Sequence, residues 1–296
     1  MMDLKICLEE NRDLVNTALD RVVPPADTKP VDLHRAMRHS LFAGGKRLRP
    51  ILLLEACRLT GGSRLEAMHA ALGMECLHTF TLIHDDLPCM DDDDFRRGVP
   101  TCHKVFGEEL AVLAGDALMF LGMDLLARPM ETVSSQVQLE VIRVAARTLG
   151  SLGVIGGQVT DLQAEGQTPS LDVLEAIHLH KTALLVMGSL EIGALIGGAG
   201  PGEKEKLREY GRHFGLAFQI TDDVLDVTGE SRVLGKTTGR DLQKQKMTYP
   251  ALMGVDRSRQ KAREHVDMAV ACLEGYSRKD AWFFRKLVES LLERVS

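Results

Sequence analysis

The sequence predicts an all-α protein, on three observations. Apolar residues recur with a 3.6-residue period along most of the chain. Aromatic residues, which many-stranded folds lean on, are few: Phe 9, Tyr 3 and Trp 1. No hairpin signature and no strand-turn-helix glycine fingerprint stands out. Taken in order, a first amphipathic helix over 3–22 is set off by Pro24-Pro25 and Pro30, and helices over 31–43 and 48–60 end at Gly61-Gly62. Leu65, Met68, Leu72, Cys76, Thr79 and Ile83 then step by 3, 4, 4, 3 and 4, which puts one stripe on one helical face. Helices over 107–127 and 135–149 follow, then a turn at 166–169, a helix over 170–196 and a turn at 197–202. Leu207, Tyr210, Phe214, Phe218, Thr221 and Leu225 repeat the stripe, and segments 241–253, 258–274 and 279–294 complete the set. The expected architecture is one domain, residues 1–296, of ten or more helices with long helices around a central cavity.

Composition narrows the function. In 296 residues, 45% hydrophobic and 26% charged is an ordinary globular balance. Asp and Glu number 42 against 36 Lys and Arg, a net charge of −6, which disfavours general nucleic-acid binding. Six cysteines, at positions 7, 57, 76, 89, 102 and 272, form no C-x-x-C pair, so a reducing, cytoplasmic setting is expected rather than a disulfide framework. The first residues turn acidic at once and do not read as a signal peptide. The apolar stretch 183–199, broken by Glu191 and glycines, reads as a buried helix and its end, so no stable membrane anchor is expected.

Two aspartate clusters carry the chemistry. Six of the ten residues from Asp85 to Asp94 are Asp, and Asp222, Asp223 and Asp226 form a second cluster. Asp222 and Asp226, four apart, share a helical face where like charges destabilise a bare helix. Something must compensate, and hard carboxylate oxygens suit Mg²⁺, which takes one or two carboxylates together with substrate phosphates. On a straight helix Asp85 and Asp91 lie about 120° apart; Pro88 should bend or end the helix and let them converge. A lone Asp pair would read as solvated surface. Two clusters, each interrupting a strongly apolar helix, point into a cleft instead.

Cations stand at isolated places beside apolar runs: Lys46-Arg47-Leu48-Arg49 after two glycines, Arg96-Arg97-Gly98, His180-Lys181-Thr182, Gly235-Lys236 and Lys246. Arg forks fit phosphate oxygens bidentately and Lys acts as a movable point charge. Each alone is compatible with plain surface charge, and Lys46-Arg47 also with a helix start. His78, seven residues before Asp85, lies about 20° from it around the helix, which favours a polar contact with substrate over an ordinary core histidine.

These ordered motifs, from Gly44 to Leu252, resemble the trans-prenyl diphosphate synthases, most of all the short-chain bacterial farnesyl diphosphate synthases. The family's Asp-Asp-x4-Asp pattern matches Asp85, Asp86 and Asp91, and its Asp-Asp-x2-Asp pattern matches Asp222, Asp223 and Asp226. The resemblance implies the all-α isoprenoid synthase fold, a homodimer, and a Mg²⁺-dependent condensation of isopentenyl diphosphate with dimethylallyl or geranyl diphosphate. It implies that Asp85, Asp91 and Asp222 hold Mg²⁺, three ions in all, and that Asp226 acts through water. It further implies that Arg96, Lys181, Lys236 and Lys246 hold the allylic diphosphate, with Thr182 and Gln219 at its reacting end. Lys46, Arg49, His78 and Arg97 would hold the diphosphate of isopentenyl diphosphate.

The implied chemistry is loss of diphosphate to an allylic cation, attack by the isopentenyl double bond, and loss of a proton, with the departed diphosphate as acceptor. No side-chain base is nominated, and the Cys89 thiol is incidental. Phe80 and Thr81 stand five and four residues before Asp85, roughly 6–8 Å down the helix. Phe80 is either a floor for the growing chain or an ordinary core residue; as a floor, it matches the fifteen-carbon pattern. Farnesyl diphosphate is therefore the expected product, with geranylgeranyl or geranyl diphosphate as alternatives. Rival readings are a class I terpene cyclase, which leaves Lys46, Arg49 and Arg97 unexplained, and a non-catalytic subunit, which would tend to lose the aspartates kept here. The segment Ser231 to Lys246 is a candidate lid.

Overall fold

In the computed structural model, the described residues are 3–164, 170–228 and 248–295. They form helix after helix: α1 Leu4–Val22, α2 Val31–Leu41, α3 Leu48–Leu59, α4 Met68–Asp85, α5 Cys102–Phe106, α6 Glu108–Ala127, α7 Ser135–Leu149 and α8 Val154–Ala164. There follow α9 Leu171–His178, a π-helical turn Leu179–Ala183, α10 Leu184–Ile196, α11 Pro201–Thr228, α12 Tyr249–Met253, α13 Val255–Ala271 and α14 Trp282–Glu293. The all-α expectation holds. A two-residue hairpin departs from it: β1 Phe95–Arg96 pairs antiparallel with β2 Val99–Pro100. The predicted helix over 170–196 is interrupted by the π turn, and 241–247 lies outside the described residues.

The chain packs as two compact units, residues 1–54 with 63–142, and residues 55–62 with 143–296. In the first unit, Ile51, Leu52, Leu53 and Leu54 of α3 are all fully buried, so this turn of the helix is apolar all round. α4 is as deeply set, with every residue from Ala70 to Phe80 buried. α6 reaches it because both carry glycine at the crossing: a Cβ on Gly73 would stand 2.8 Å from the Gly122 carbonyl oxygen, and one on Gly122 2.9 Å from that of Gly73. The stripe proposed for α4 is buried from Leu72 to Ile83, but Leu65 precedes the helix and is 84% exposed. α1 starts where the Asp3 carboxylate caps the amides of Lys5 and Ile6.

The second unit is built on α11, which packs against α10 and α13. Its stripe turns inward as expected: Leu207, Tyr210, Phe214, Thr221 and Leu225 are buried. The Tyr210 ring meets Phe284 edge-on, and its hydroxyl donates to the Phe284 carbonyl at 2.8 Å, so the buried phenol is satisfied. The run Leu171–Ile196 is long and apolar enough to cross a membrane, but it is mostly buried in this unit, as a core helix is.

Candidate active site

The first aspartate cluster begins where α4 stops. Asp85 is the last helical residue, and Pro88 bars continuation. The chain then folds back: Asp91 N–H donates to the Asp85 carbonyl (2.9 Å), Asp92 N–H to that of Leu87 (3.1 Å) and Asp93 N–H to that of Asp86 (3.3 Å), with Asp92 at φ 47°. The loop thus brings the Asp91 backbone back onto that of Asp85, as a helix ended ahead of Pro88 allows. Asp86 is buried and accepts from Arg96 Nε at 2.7 and 2.8 Å, while Arg96 Nη2 lies 3.8 Å from Asp85 and 3.9 Å from Asp93. Burial opposes the charge on Arg96, but the bonds to Asp86 and the charges of Asp86, Asp85 and Asp93 outweigh it and raise its pKa. Thr79, Asp86, Arg96 and Arg97 also line a small cavity, so these polar groups border open space.

The hairpin explains how two consecutive arginines diverge. Arg97 and Gly98 form its turn with φ 54° and 80°, the doubly left-handed geometry that two-residue hairpins favour and that glycine accepts freely. Arg96, on the strand, reaches Asp86; Arg97, on the turn, donates to the Gly44 carbonyl. Gly45 stands at φ 113°, a backbone conformation that favours glycine, and lies against the Arg97 guanidinium.

Around Gly44, the neighbouring cations separate by role. Lys46 is exposed. Arg47 is buried at φ 50° and donates to Glu75 Oε1 (2.6 Å), Asn16 Oδ1 (2.9 Å) and the Leu41 carbonyl, so it holds the loop from inside. Arg49 Nη1 donates to His78 Nε2 at 3.0 Å. Because arginine can only donate, the neutral imidazole carries its proton on Nδ1. Burial, then the charges of Arg49, Arg97, Arg96 and Arg47, push the His78 pKa well below its ordinary value. Burial likewise brings Arg49 down to about 10. The buried Nε of Arg49 and Nδ1 of His78 have no acceptor among the described residues. Such donors call for one, and a phosphate oxygen has the chemistry to fill that role.

In the second unit, the π turn carries Lys181-Thr182, an interruption common at functional sites. Lys181 Nζ pairs with Asp161 Oδ2 at 2.8 Å. Thr182 Oγ1 donates to Gln219 Oε1 (3.1 Å), and Gln219 Nε2 donates to Asp223 Oδ1 (3.1 Å). Asp223, buried, accepts at its other oxygen from Tyr249 N–H (3.1 Å). The Thr248-Tyr249 start of α12 is therefore tied to the middle aspartate of the second cluster. Asp222 and Asp226 are half-buried, and Asp222 Oδ1 accepts from Arg294 Nη2 at 2.7 Å. Lys236, Lys246 and the candidate lid lie outside the described residues.

Among the described residues, no group of three or more His, Cys, Asp or Glu side chains is set to hold a metal ion by itself. The donor set still fits magnesium, which draws on a few carboxylate oxygens and completes its shell with water and phosphate. Three partners were not foreseen. Glu75 could have been, as an acid inside an apolar helix; Asp161 sits on a helix that its glycines disguise; Arg294 carries no local signal.

The fold and these motifs define a class. The polyprenyl synthetase family profile matches residues 30–280, and the chain belongs to that family. It is 49% identical over 257 residues to the large subunit 1 of a heterodimeric geranylgeranyl pyrophosphate synthase of Arabidopsis thaliana, covering 85% of this chain and 69% of that one. It is 48% identical over 263 residues to a geranylgeranyl pyrophosphate synthase of Catharanthus roseus, covering 88% and 73%. Among solved structures, it superposes on an FPP/GFPP synthase of Zymomonas mobilis with a TM-score of 0.86 at 35% identity, over 98% of both chains. A geranylgeranyl pyrophosphate synthetase of Pyrococcus horikoshii gives 0.88 at 28% identity, again over 98% of both. The architecture is the isoprenoid synthase fold.

Proposed function

We propose that this protein joins isopentenyl diphosphate to an allylic diphosphate and releases diphosphate, with magnesium required. The observation that carries the reading is the region around the end of α4. There the loop folds Asp91 onto Asp85, and Arg49 and His78 keep buried donors without an acceptor. The first arrangement suits an ion shared with phosphate; the second suits phosphate directly.

In this reading Asp85, Asp91 and Asp222 hold magnesium, which neutralises charge on the departing diphosphate. Lys46, Arg49, His78 and Arg97 bind the diphosphate of isopentenyl diphosphate, with His78 acting as a neutral Nδ1–H donor. Arg96 and Lys181 bind the allylic diphosphate, and Thr182 and Gln219 flank the carbon that reacts. Their carboxylate partners, Asp86 and Asp161, hold those cations in place until the substrate competes for them. We also propose residues 1–296 as one catalytic domain, the extent expected from the sequence.

The product we favour is geranylgeranyl diphosphate, because the plant relatives above carry that name, in place of the fifteen-carbon product expected first. Farnesyl diphosphate remains the second reading on one observation: Phe80 is buried on α4 with its ring edge-on to His84, 5.8 Å between centroids, so it is braced as a floor would be. A homodimer is also proposed. Val112, Leu113 and Phe120 of α6 are exposed, and only 39% of this helix's most apolar stretch is buried within the protein.

The test is incubation of the purified chain with Mg²⁺, isopentenyl diphosphate and, separately, dimethylallyl, geranyl and farnesyl diphosphates, with products identified by mass spectrometry. Accumulation of the twenty-carbon diphosphate is expected. Products stopping at fifteen carbons would favour the Phe80 floor. A cyclic hydrocarbon, or no elongation by the chain alone, would overturn the reading.

A further inference from the structure

Asp222 is paired with a cation 72 residues away in sequence. Arg294 lies just past α14, and the next residue, Val295, is buried in a cluster with Val224 and Leu225. That cluster fixes the chain end against the turn of α11 that bears Asp222. The guanidinium lies over the Phe218 ring, with Cζ 5.3 Å from its centroid. Phe218 and Asp222 are four apart, so one face of α11 offers ring and carboxylate to the same cation. Arg294 spends Nη2 on Asp222, while its Nε and Nη1 are buried with no acceptor among the described residues.

We propose that Arg294 makes divalent-cation binding at Asp222 conditional on diphosphate, an inference that rests on the reading of Asp222 as a metal ligand. A divalent ion arriving alone meets a resident positive charge on the carboxylate it needs, and the two cations repel at close range. A diphosphate removes the conflict. Its oxygens balance the ion and offer acceptors to the two unfilled nitrogens of Arg294, so the guanidinium can leave the carboxylate without losing an anionic partner. Asp222 is thus kept neutralised until substrate comes, and ion and diphosphate enter together. Arg294 is a positioning residue in this scheme: it acts through Asp222.

The experiment measures Mn²⁺ binding to the full-length protein by electron paramagnetic resonance, with and without inorganic pyrophosphate. The ion at the second cluster is identified as the one lost in Asp222→Asn. In the unsubstituted protein that ion should require pyrophosphate. In Arg294→Gln it should bind without pyrophosphate, about tenfold more tightly, as expected for a lost bond between charged groups. Arg294→Lys, which keeps the charge, should behave like the parent. Phe218→Leu, which removes the ring under the guanidinium, should shift affinity the same way by less and serves if Arg294→Gln misfolds by circular dichroism. Equal Mn²⁺ affinity without pyrophosphate in the parent and in the folded substituted proteins would overturn the role of Arg294. Full ion occupancy in Asp222→Asn with pyrophosphate would overturn the metal reading of Asp222 itself.

Discussion

At the scale of single residues, the site separates cations that hold the fold from cations left for a ligand. Arg47 and Glu75 are both sealed from solvent, with 1% and 2% of their side chains exposed. Removing one leaves the other buried and unpaired, so Arg47→Met should cost about 3–5 kcal/mol of stability in urea denaturation. Two residues on, Arg49 is paired with a neutral imidazole rather than a carboxylate. That difference leaves its charge unspent, and Arg49→Met should impair isopentenyl diphosphate binding with little loss of stability. Asp85 sits where helix ends and loop returns. Asp85→Ala should lower turnover by several orders of magnitude while the circular dichroism spectrum stays unchanged; near-normal turnover would remove it from the metal reading. If the parent's product stops at fifteen carbons, Phe80→Ala should lengthen it by at least one five-carbon unit in a mass-spectrometric assay. An unchanged product would return Phe80 to the ordinary core.

At the scale of elements, helices were legible wherever an apolar stripe faced a core, as in α4 and α11. The hairpin was not, because two residues per strand give no alternation to read and its Arg-Gly turn lacks the usual Asn or Asp. α8 was not among the expected helices, because Gly156 and Gly157 weaken its helical pattern, although α8 carries Asp161, the partner of Lys181. The aspartate clusters were legible because acids are costly on apolar helices. The ion pairs were not, because Arg294 meets Asp222 and Asp161 meets Lys181 only through tertiary packing. The outer face of α6 shows the reverse case, an apolar stripe left exposed among the described residues. Phe120 is 69% exposed there. If a second copy covers this face, Phe120→Glu should convert a dimer to a monomer in light-scattering chromatography. An unchanged mass would exclude this face as the interface.

At the scale of the whole molecule, buried histidines set the response to acid. Burial, opposed by Asp161 and aided by Lys181, lowers His178 to about 3. Burial, with the charges of His213, Lys261 and Arg212, lowers His265 to about 4, and its Nδ1 lies 3.0 Å from that of His213. His78 is shifted in the same direction, with burial again the largest cause. Each imidazole is neutral when folded, and the unfolded chain protonates near the ordinary value of about 6.5. Between the folded and unfolded values, the unfolded state therefore holds more protons, so stability rises with pH across that window and is lost on acidification. Each group contributes a slope of about 1.4 kcal/mol per pH unit where its two states differ fully. His178 packs on Tyr249 with 5.4 Å between ring centroids, and its Nε2 is 3.8 Å from Asp223, beyond hydrogen-bond reach. His178→Phe should therefore keep the ring and remove one titration. Denaturation free energies measured from pH 7 to pH 4 should fall less steeply in that protein than in the parent, by about that slope below pH 6. Parallel curves would mean that His178 titrates alike in both states, and that acid sensitivity arises elsewhere.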